Sequence, residues 1–127
     1  MQQNHLFEYA VIRVVPRVER EEFLNVGVIL YCAKQQFLQA LFCLDEERLK
    51  ALCAELSGEE LLQNLHAIER ICVGDTDAGP IARLDIAARF RWLTATRSTV
   101  IQTSKVHPGF CTDARATLTR LYTQLVL

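Results

Sequence analysis

The sequence predicts an α+β domain in which a mostly antiparallel sheet of about four strands is covered by about four helices. Two long apolar runs, Phe23–Cys32 and Phe37–Leu44, flank the short polar segment 33–36, a pattern typical of a β-hairpin. A third apolar run, Phe7–Val15, precedes them and completes an N-terminal meander of three strands. Helical patterns, one late strand and a last helix follow, so we expect a single domain over residues 1–127.

The composition is that of a globular, cytoplasmic protein. Half of the 127 residues are hydrophobic, which is enough for a substantial core. The N-terminus lacks a basic, apolar leader and no run is long enough to span a bilayer, so no membrane association is expected. The net charge of -1 and the pI of about 6.3 argue against nucleic acid as a partner.

The five cysteines are expected to be reduced and to act as small core residues. Their number is odd and no C-x-x-C spacing occurs. If residues 33–36 form the turn, Cys32 lies opposite Phe37 and Cys43 lies opposite Val26, so these two cannot easily form a disulfide. The spacing of cysteines and histidines does not predict a metal site, and no cofactor is expected.

Two features of the predicted meander restrict its geometry. Pro16 removes a backbone donor and marks the end of the first strand. Gly27 lies inside the second strand, where glycine indicates a β-bulge or a close approach of another backbone.

Capping residues predict where the helices begin and end. Asp45 is an N-cap for the first helix, and Ser57 with Glu60 forms a capping-box pattern for the second. Gly74 is a natural C-terminal stop. Asp85 can cap the third helix, and Thr112 or Asp113 can cap the last.

The late strand is predicted at about Ser98–Val106. His107, Pro108 and Gly109 follow it, and this tripeptide predicts a turn before the last helix.

Charge is unevenly distributed along the chain. Residues 1–82 contain 7 Lys/Arg and 13 Asp/Glu, whereas residues 83–127 contain 7 Lys/Arg and 2 Asp/Glu. The basic half is one candidate for binding an anion or an acidic partner. The alternative is that the two halves face each other and neutralise.

Thr94–Thr99 is the densest polar cluster in the basic half. A guanidinium among hydroxyls suits a phosphate, because the fork of Arg97 and the hydroxyls of Ser98 and Thr99 are all donors. Arg91 is close in sequence and is a further candidate cation for this anion site. The alternative interpretation is that the hydroxyls serve only the junction between a helix and a strand.

Three further polar residues are candidates for the same ligand. Arg13 interrupts an apolar face, which favours a structural ion pair with the acidic loop 19–22 over a ligand contact. Asn25 interrupts the second strand, and we expect it to bond a bulged backbone unless it contacts a ligand. His107 is a loop histidine that can act as a proton shuttle or simply as a turn residue.

Three stretches together resemble the bacterial domain-of-unknown-function family numbered 3037. They are E-Y-A-V-I-R-V-V-P, R-E-E-F-L-N-V-G-V-I-L-Y-C and F-R-W-L-T-A-T-R-S-T-V-I-Q-T-S. The resemblance extends from Glu8 to about Leu125 and implies a bacterial, soluble domain with no catalytic residues to transfer. Members of this family are often encoded beside a kinase resembling the Hip-type toxin kinases, which implies an accessory or regulatory role.

Two functional hypotheses follow. Phosphate-loop, dinucleotide-binding, zinc-protease and nucleophile-elbow motifs do not occur in the sequence, which favours a non-enzymatic interaction module, such as the partner of a serine/threonine kinase. The alternative is a small enzyme or sensor that binds a phosphorylated or other anionic ligand through the basic half. A homodimer joined through strand one or strand four is also expected, because long apolar strands leave edges that need covering.

Overall fold

Strand β1 is the centre of a five-stranded antiparallel sheet in the computed structural model, which describes residues 4–95 and 99–127. The strands are β1 His5–Val14, β2 Leu24–Cys32, β3 Phe37–Phe42, β4 Ile101–Thr103 and β5 His107–Cys111. The helices are α1 Glu46–Leu52, α2 Gly58–Val73, α3 Ile86–Leu93 and α4 Ala114–Leu125. The predicted α+β class and the β1–β2–β3 meander are both confirmed.

Both sides of β1 are occupied by neighbouring strands. β2 pairs with one side, while β4 and β5 share the other side. β4 lies opposite Ile12–Val14 and β5 lies opposite His5–Tyr9. Between β4 and β5, the backbone N–H of Ser104 donates to the oxygen of Val11. Strand β1 therefore has neighbours along both of its edges, whereas β4 is an outer strand.

The predicted turn at His107–Gly109 is wrong, because these residues begin β5. This is why the sheet has five strands where about four were predicted. Pro108 lies opposite Glu8, at a position of β5 whose backbone groups point away from β1. Its missing N–H therefore removes no hydrogen bond to β1. Glycine is needed at position 109 because a Cβ there would collide with Phe7, at 2.6 Å from its Cζ atom. Proline and glycine therefore serve an edge strand here instead of a turn.

Gly27 lies at the predicted β-bulge, which is confirmed. Ile12 pairs with Gly27 and Arg13 pairs with Asn25, so Val26 has no partner on β1. A Cβ on Gly27 would lie 2.7 Å from the backbone oxygen of Leu41, so a larger residue cannot fit without displacing β3. The bulge turns the side chain of Val26 to the opposite face of the sheet from Val28.

Helices cover both faces of the sheet. On one face, which we call the three-helix face, Ala10, Ile12, Val26 and Tyr31 pack with side chains of α1, α2 and α3. On the other, the α4 face, a smaller core contains side chains from three strands and α4, namely Phe7, Val28, Leu30, Cys32, Cys111, Ala114, Leu118, Leu121 and Val126. The division of the core into two clusters follows from the period-two alternation of strand side chains.

The predicted helix caps are confirmed. The Asp45 carboxylate accepts from the N–H groups of Glu47 and Arg48, and the Ser57 hydroxyl accepts from that of Glu60. Asp85 and Asp113 cap α3 and α4 in the same way. Gly74 ends α2 at φ 74°, in the left-handed region that favours glycine.

Candidate functional site

A groove of about 400 Å³ lies between α2, the C-terminal end of α3 and β4. We call it the α2–β4 groove. Among the described residues, its walls are apolar and neutral polar side chains, and none of those that line it is charged: Asn64, Ala67, Ile68, Ile71, Trp92, Leu93, Ala95 and Thr99–Thr103. In a chain in which 23% of the residues are charged, this is an unusual stretch of surface.

The α2 wall follows from the width of the apolar surface of that helix. Leu61 and Leu65 lie in the core, one turn apart. Asn64, Ala67, Ile68 and Ile71 follow the same spacing on the adjacent strip of the helix surface, where they line the groove. Ala67 is exposed and Ile68 is half-buried. The helix therefore has more apolar surface than its contact with the sheet buries.

The opposite wall is provided by α3 and β4. Phe90 of α3 is fully buried and stacks on Tyr31, with 5.2 Å between ring centroids. This anchors α3 so that Trp92, which is 39% exposed, borders the groove. The side chains of Ile101 and Thr103 lie on the three-helix face, and the Thr103 hydroxyl donates to the oxygen of Thr94.

Thr99 is the one member of the predicted Arg97–Ser98–Thr99 anion site that lies in the described part of the chain. Arg97 and Ser98 fall outside the described residues. The Thr99 hydroxyl donates to the oxygen of Ile101 at 2.5 Å, and the Gln102 side-chain amide donates to the oxygen of Thr99 at 2.8 Å. These bonds form a tight turn before β4 and place Thr99 at the end of the groove.

Arg91 lies apart from this turn and pairs with Glu8 of β1. The guanidinium donates to both carboxylate oxygens, with 2.9 Å from Nη2 to Oε1. The hydrogen bonds that Arg91 donates to Glu8 raise the pKa of the Arg91 guanidinium above its ordinary value. Because Arg91 belongs to the basic half and Glu8 to the acidic half, this pair is an instance of the two halves neutralising each other.

Arg13 and Asn25 are cross-strand neighbours on the α4 face. Arg13 lies over the ring of Phe23, 4.2 Å from its centroid, instead of pairing with the acidic loop 19–22 as expected. Asn25 donates to the backbone oxygen of Leu125 at 3.2 Å, so its amide caps α4 and does not bond the bulge. Within residues 4–95 and 99–127, Arg13 Nε and Asn25 Oδ1 are buried and have no hydrogen-bond partner.

His107 also lies on the α4 face, opposite Tyr9 in the register of β1 and β5. The two rings are 5.3 Å apart between centroids. Tyr9 and Arg13 are four residues apart on one strand, a separation of roughly 13 Å. The predicted anion-site residues are therefore divided: Arg13, Asn25 and His107 share the α4 face, whereas Arg91 lies on the three-helix face.

Other arginines of the basic half bond to nearby groups of the protein. Arg89 donates through Nη1 to the oxygens of Ile71 and Cys72, at 2.9 and 2.8 Å, and so caps the C-terminal end of α2. Arg83 donates to the oxygen of Thr76. Arg115 lies over the ring of Phe37. The arginines that lie in one half of the sequence therefore contact separate groups at different places in the fold.

In the described ranges, no group of three or more His, Cys, Asp or Glu side chains is placed to hold a metal ion. The same ranges contain no helix that has both the length and the apolar character needed to cross a membrane.

The sequence patterns did not predict the groove. The one signal in the sequence was the breadth of the apolar surface of α2, where Ala67 and Ile71 extend the stripe that Leu61, Leu65, Ile68 and Cys72 already form. A strip of that width exceeds what one helix–sheet contact buries.

Comparison with protein families identifies one match. Residues 9–126 match the model of DUF3037, described as a protein of unknown function, so the chain belongs to this family. No curated protein and no solved structure matches the chain.

Proposed function

We propose that this DUF3037 chain is a non-enzymatic interaction module that docks a protein partner in the α2–β4 groove. The observation that carries the proposal is that the described residues lining this groove, beside the outer strand β4, are all uncharged. Contiguous apolar surface that is left exposed marks interaction sites in soluble proteins. Binding hot spots are enriched in tryptophan, and Trp92 lies at the border of this groove.

The finer proposal concerns the identity of the partner. The family resemblance points to a serine/threonine kinase of the Hip-type toxin class, for which this chain would be an accessory subunit. A cytoplasmic location suits such a partner, and all five cysteines are free in the structure. A neutral groove would select an apolar segment of the kinase, since a charged side chain would lose solvation without gaining a partner.

The test is co-expression with such a kinase from the same host, followed by size-exclusion chromatography with light scattering. Ala67→Glu places a charge on an exposed position in the groove wall, whereas Gln63→Glu places the same charge on an exposed position of α2 outside it. We expect wild type and Gln63→Glu to co-elute with the kinase at one defined mass, and Ala67→Glu to elute separately. Co-elution of all three would contradict docking in the groove.

A second candidate function is the binding of a phosphorylated or other anionic ligand. The observation that favours it is Arg13, whose Nε is buried without a partner among the described residues and whose neighbours on the α4 face include Asn25. An arginine stacked on an aromatic ring is well placed to hold an anion, because its outer N–H groups keep a fixed geometry. His107 lies on the same face, near Tyr9.

A thermal-shift screen with phosphorylated compounds tests this alternative. Arg13→Gln should abolish the stabilisation by the ligand, while Arg91→Gln, on the other face, should leave it unchanged. Arg97→Ala tests the original cluster, and binding that is unaffected by both Arg13→Gln and Arg97→Ala would reject the anion site.

A further inference from the structure

We infer that the partner segment docks as an extended strand that pairs with the outer edge of β4 and places its apolar side chains in the α2–β4 groove. This inference rests on the proposed function and adds the backbone conformation and chemistry of the ligand. An edge strand beside a helix-lined groove offers both main-chain hydrogen bonds and side-chain subsites, which is the arrangement used in recognition by strand addition.

The direction of the β4 backbone groups follows from three neighbouring hydrogen bonds. Val15 N–H donates to Val100 O at 2.6 Å, and Ser104 N–H donates to Val11 O at 2.8 Å. Gln102 is paired with Arg13 between them. Since successive residues of a strand point their backbone groups to opposite sides, the groups of Ile101 and Thr103 point away from β1.

The backbone groups that β4 points away from β1 differ in whether they already have a hydrogen-bond partner. The oxygen of Ile101 accepts from the Thr99 hydroxyl. The N–H groups of Ile101 and Thr103 and the oxygen of Thr103 bond to none of the residues in the described ranges. A docking strand can therefore form hydrogen bonds at Thr103 directly, while at Ile101 it uses the N–H and competes with Thr99 for the oxygen.

The β5 portion of the same edge is much less suited to pairing. Its outward positions are Pro108 and Phe110, by the register that places Gly109 opposite Phe7. Pro108 has no N–H to donate, and proline at such a position is a recognised means of blocking an edge. Strand addition is therefore confined to β4, the part of the edge that borders the groove.

Charge complementarity selects the side chains of the segment. The described residues that line the groove are all uncharged, and Ile68, Ile71 and Ile101 are among them. An extended segment directs alternate side chains to the same side. The occupant is thus a stretch of a partner protein in which uncharged, apolar residues recur at every second position.

The experiment uses short linear peptides displayed on phage as the probe. The library is panned against the wild-type chain with counter-selection against Ala67→Glu, and the most enriched peptide is synthesised for calorimetry. We expect enriched peptides to have alternating apolar residues without charge, and Ala67→Glu to bind the synthesised peptide about a hundredfold more weakly or not at all. Absence of enrichment would overturn the inference that an extended segment is the occupant.

Two substitutions at one position isolate the backbone contribution. Thr103→Pro removes the outward N–H, whereas Thr103→Val keeps it and removes only the hydroxyl that bonds Thr94. The peptide should bind Thr103→Pro about tenfold more weakly than it binds Thr103→Val. If Thr103→Pro binds as wild type while Ala67→Glu does not, docking in the groove stands and strand pairing is overturned.

Amide hydrogen exchange of the wild-type chain provides a readout that does not depend on whether the proline variant folds. On peptide binding, exchange at Ile101 and Thr103 should slow, while exchange at Phe110, the outward position of the blocked β5 segment, should not change. Unchanged exchange at Ile101 and Thr103 in the presence of a bound peptide would overturn strand pairing. Failure of the kinase to co-elute would leave these results unaffected, so the two proposals fail separately.

Discussion

The two faces of the sheet are formed by the same strands but differ in the size of their cores and in their polar residues. The three-helix face has the larger core and, at its border, the α2–β4 groove. The α4 face has the smaller core together with the polar residues Arg13, Asn25 and His107. The difference arises because three helices cover more of the sheet than one helix does. Polar side chains can therefore lie on the α4 face without being sealed inside the core.

Polar residues that interrupt apolar strands have roles in the fold itself. Asn25 caps α4 and Arg13 stacks on Phe23, so both have structural roles. The surface proposed for docking consists instead of residues that resemble ordinary core. A groove of this kind depends on which apolar side chains the tertiary packing leaves uncovered.

The largest effect is expected at Gly27, beside the bulge in β2. Gly27→Ala should lower the free energy of unfolding by about 2–4 kcal/mol, because the new methyl group would collide with the backbone of β3 beside the bulge. Urea denaturation measures the change. Gly58→Ala is the matched control, since a Cβ there meets nothing closer than 3.8 Å and should change stability by less than about 1 kcal/mol.

Substitution of the side chains that cap the C-terminal ends of α2 and α4 allows the two faces to be compared. Arg89→Met should destabilise by about 2 kcal/mol, because two backbone oxygens lose a charged donor. Asn25→Ala should cost less than about 1 kcal/mol, since the single bond to Leu125 is lost together with a buried oxygen that has no partner in the described chain. Equal losses in urea denaturation would contradict this difference between the faces.

Local signals in the sequence predicted most of the fold. N-caps such as Asp45 and Ser57, the glycine stop at Gly74 and the bulge at Gly27 depend on near neighbours, and all are observed. The turn at 107–109 was wrong because the role of Pro108 depends on which side of β5 faces β1. That information is in the sheet register and not in the tripeptide.

The candidate site was harder to predict for the same reason. Arg91 and Glu8 are distant in sequence and meet only in the folded chain. The sequence could show an excess of positive charge after residue 82, but not the separate partners of Arg83, Arg89 and Arg91. The position of Arg13 on the same face as Tyr9, by contrast, follows from period-two alternation along one strand alone.

Cys72 makes the stability of the three-helix core depend on pH. Burial raises the pKa of its thiol from 9.0 to about 12, with Arg89 opposing and Glu69 adding to the shift. The folded state therefore holds this proton more tightly than the unfolded state. The associated stability is fully present below pH 9 and is lost as the pH rises toward 12, by about 1.4 kcal/mol per pH unit.

Cys72→Ala tests this dependence. The variant should be less stable overall because of the cavity, but its stability should fall less steeply above pH 9 than that of the wild type. Some slope should remain, because burial also raises the pKa of Cys111 on the α4 face. Identical slopes for wild type and variant would show that the Cys72 thiol does not titrate as expected.

The smallest effect concerns the ion pair between Arg91 and Glu8. Because the Arg91 side chain is 57% exposed, solvent screens the pair, and Arg91→Gln should cost only about 0.5 kcal/mol. A double-mutant cycle with Glu8→Gln should give a coupling energy of this size that disappears in high salt, as expected for an exposed pair. A coupling several times larger that persists in salt would mean that the pair fixes α3 on β1. In that case Arg91 would help to hold the wall of the groove, and the neutral lining would depend on a charged contact outside it.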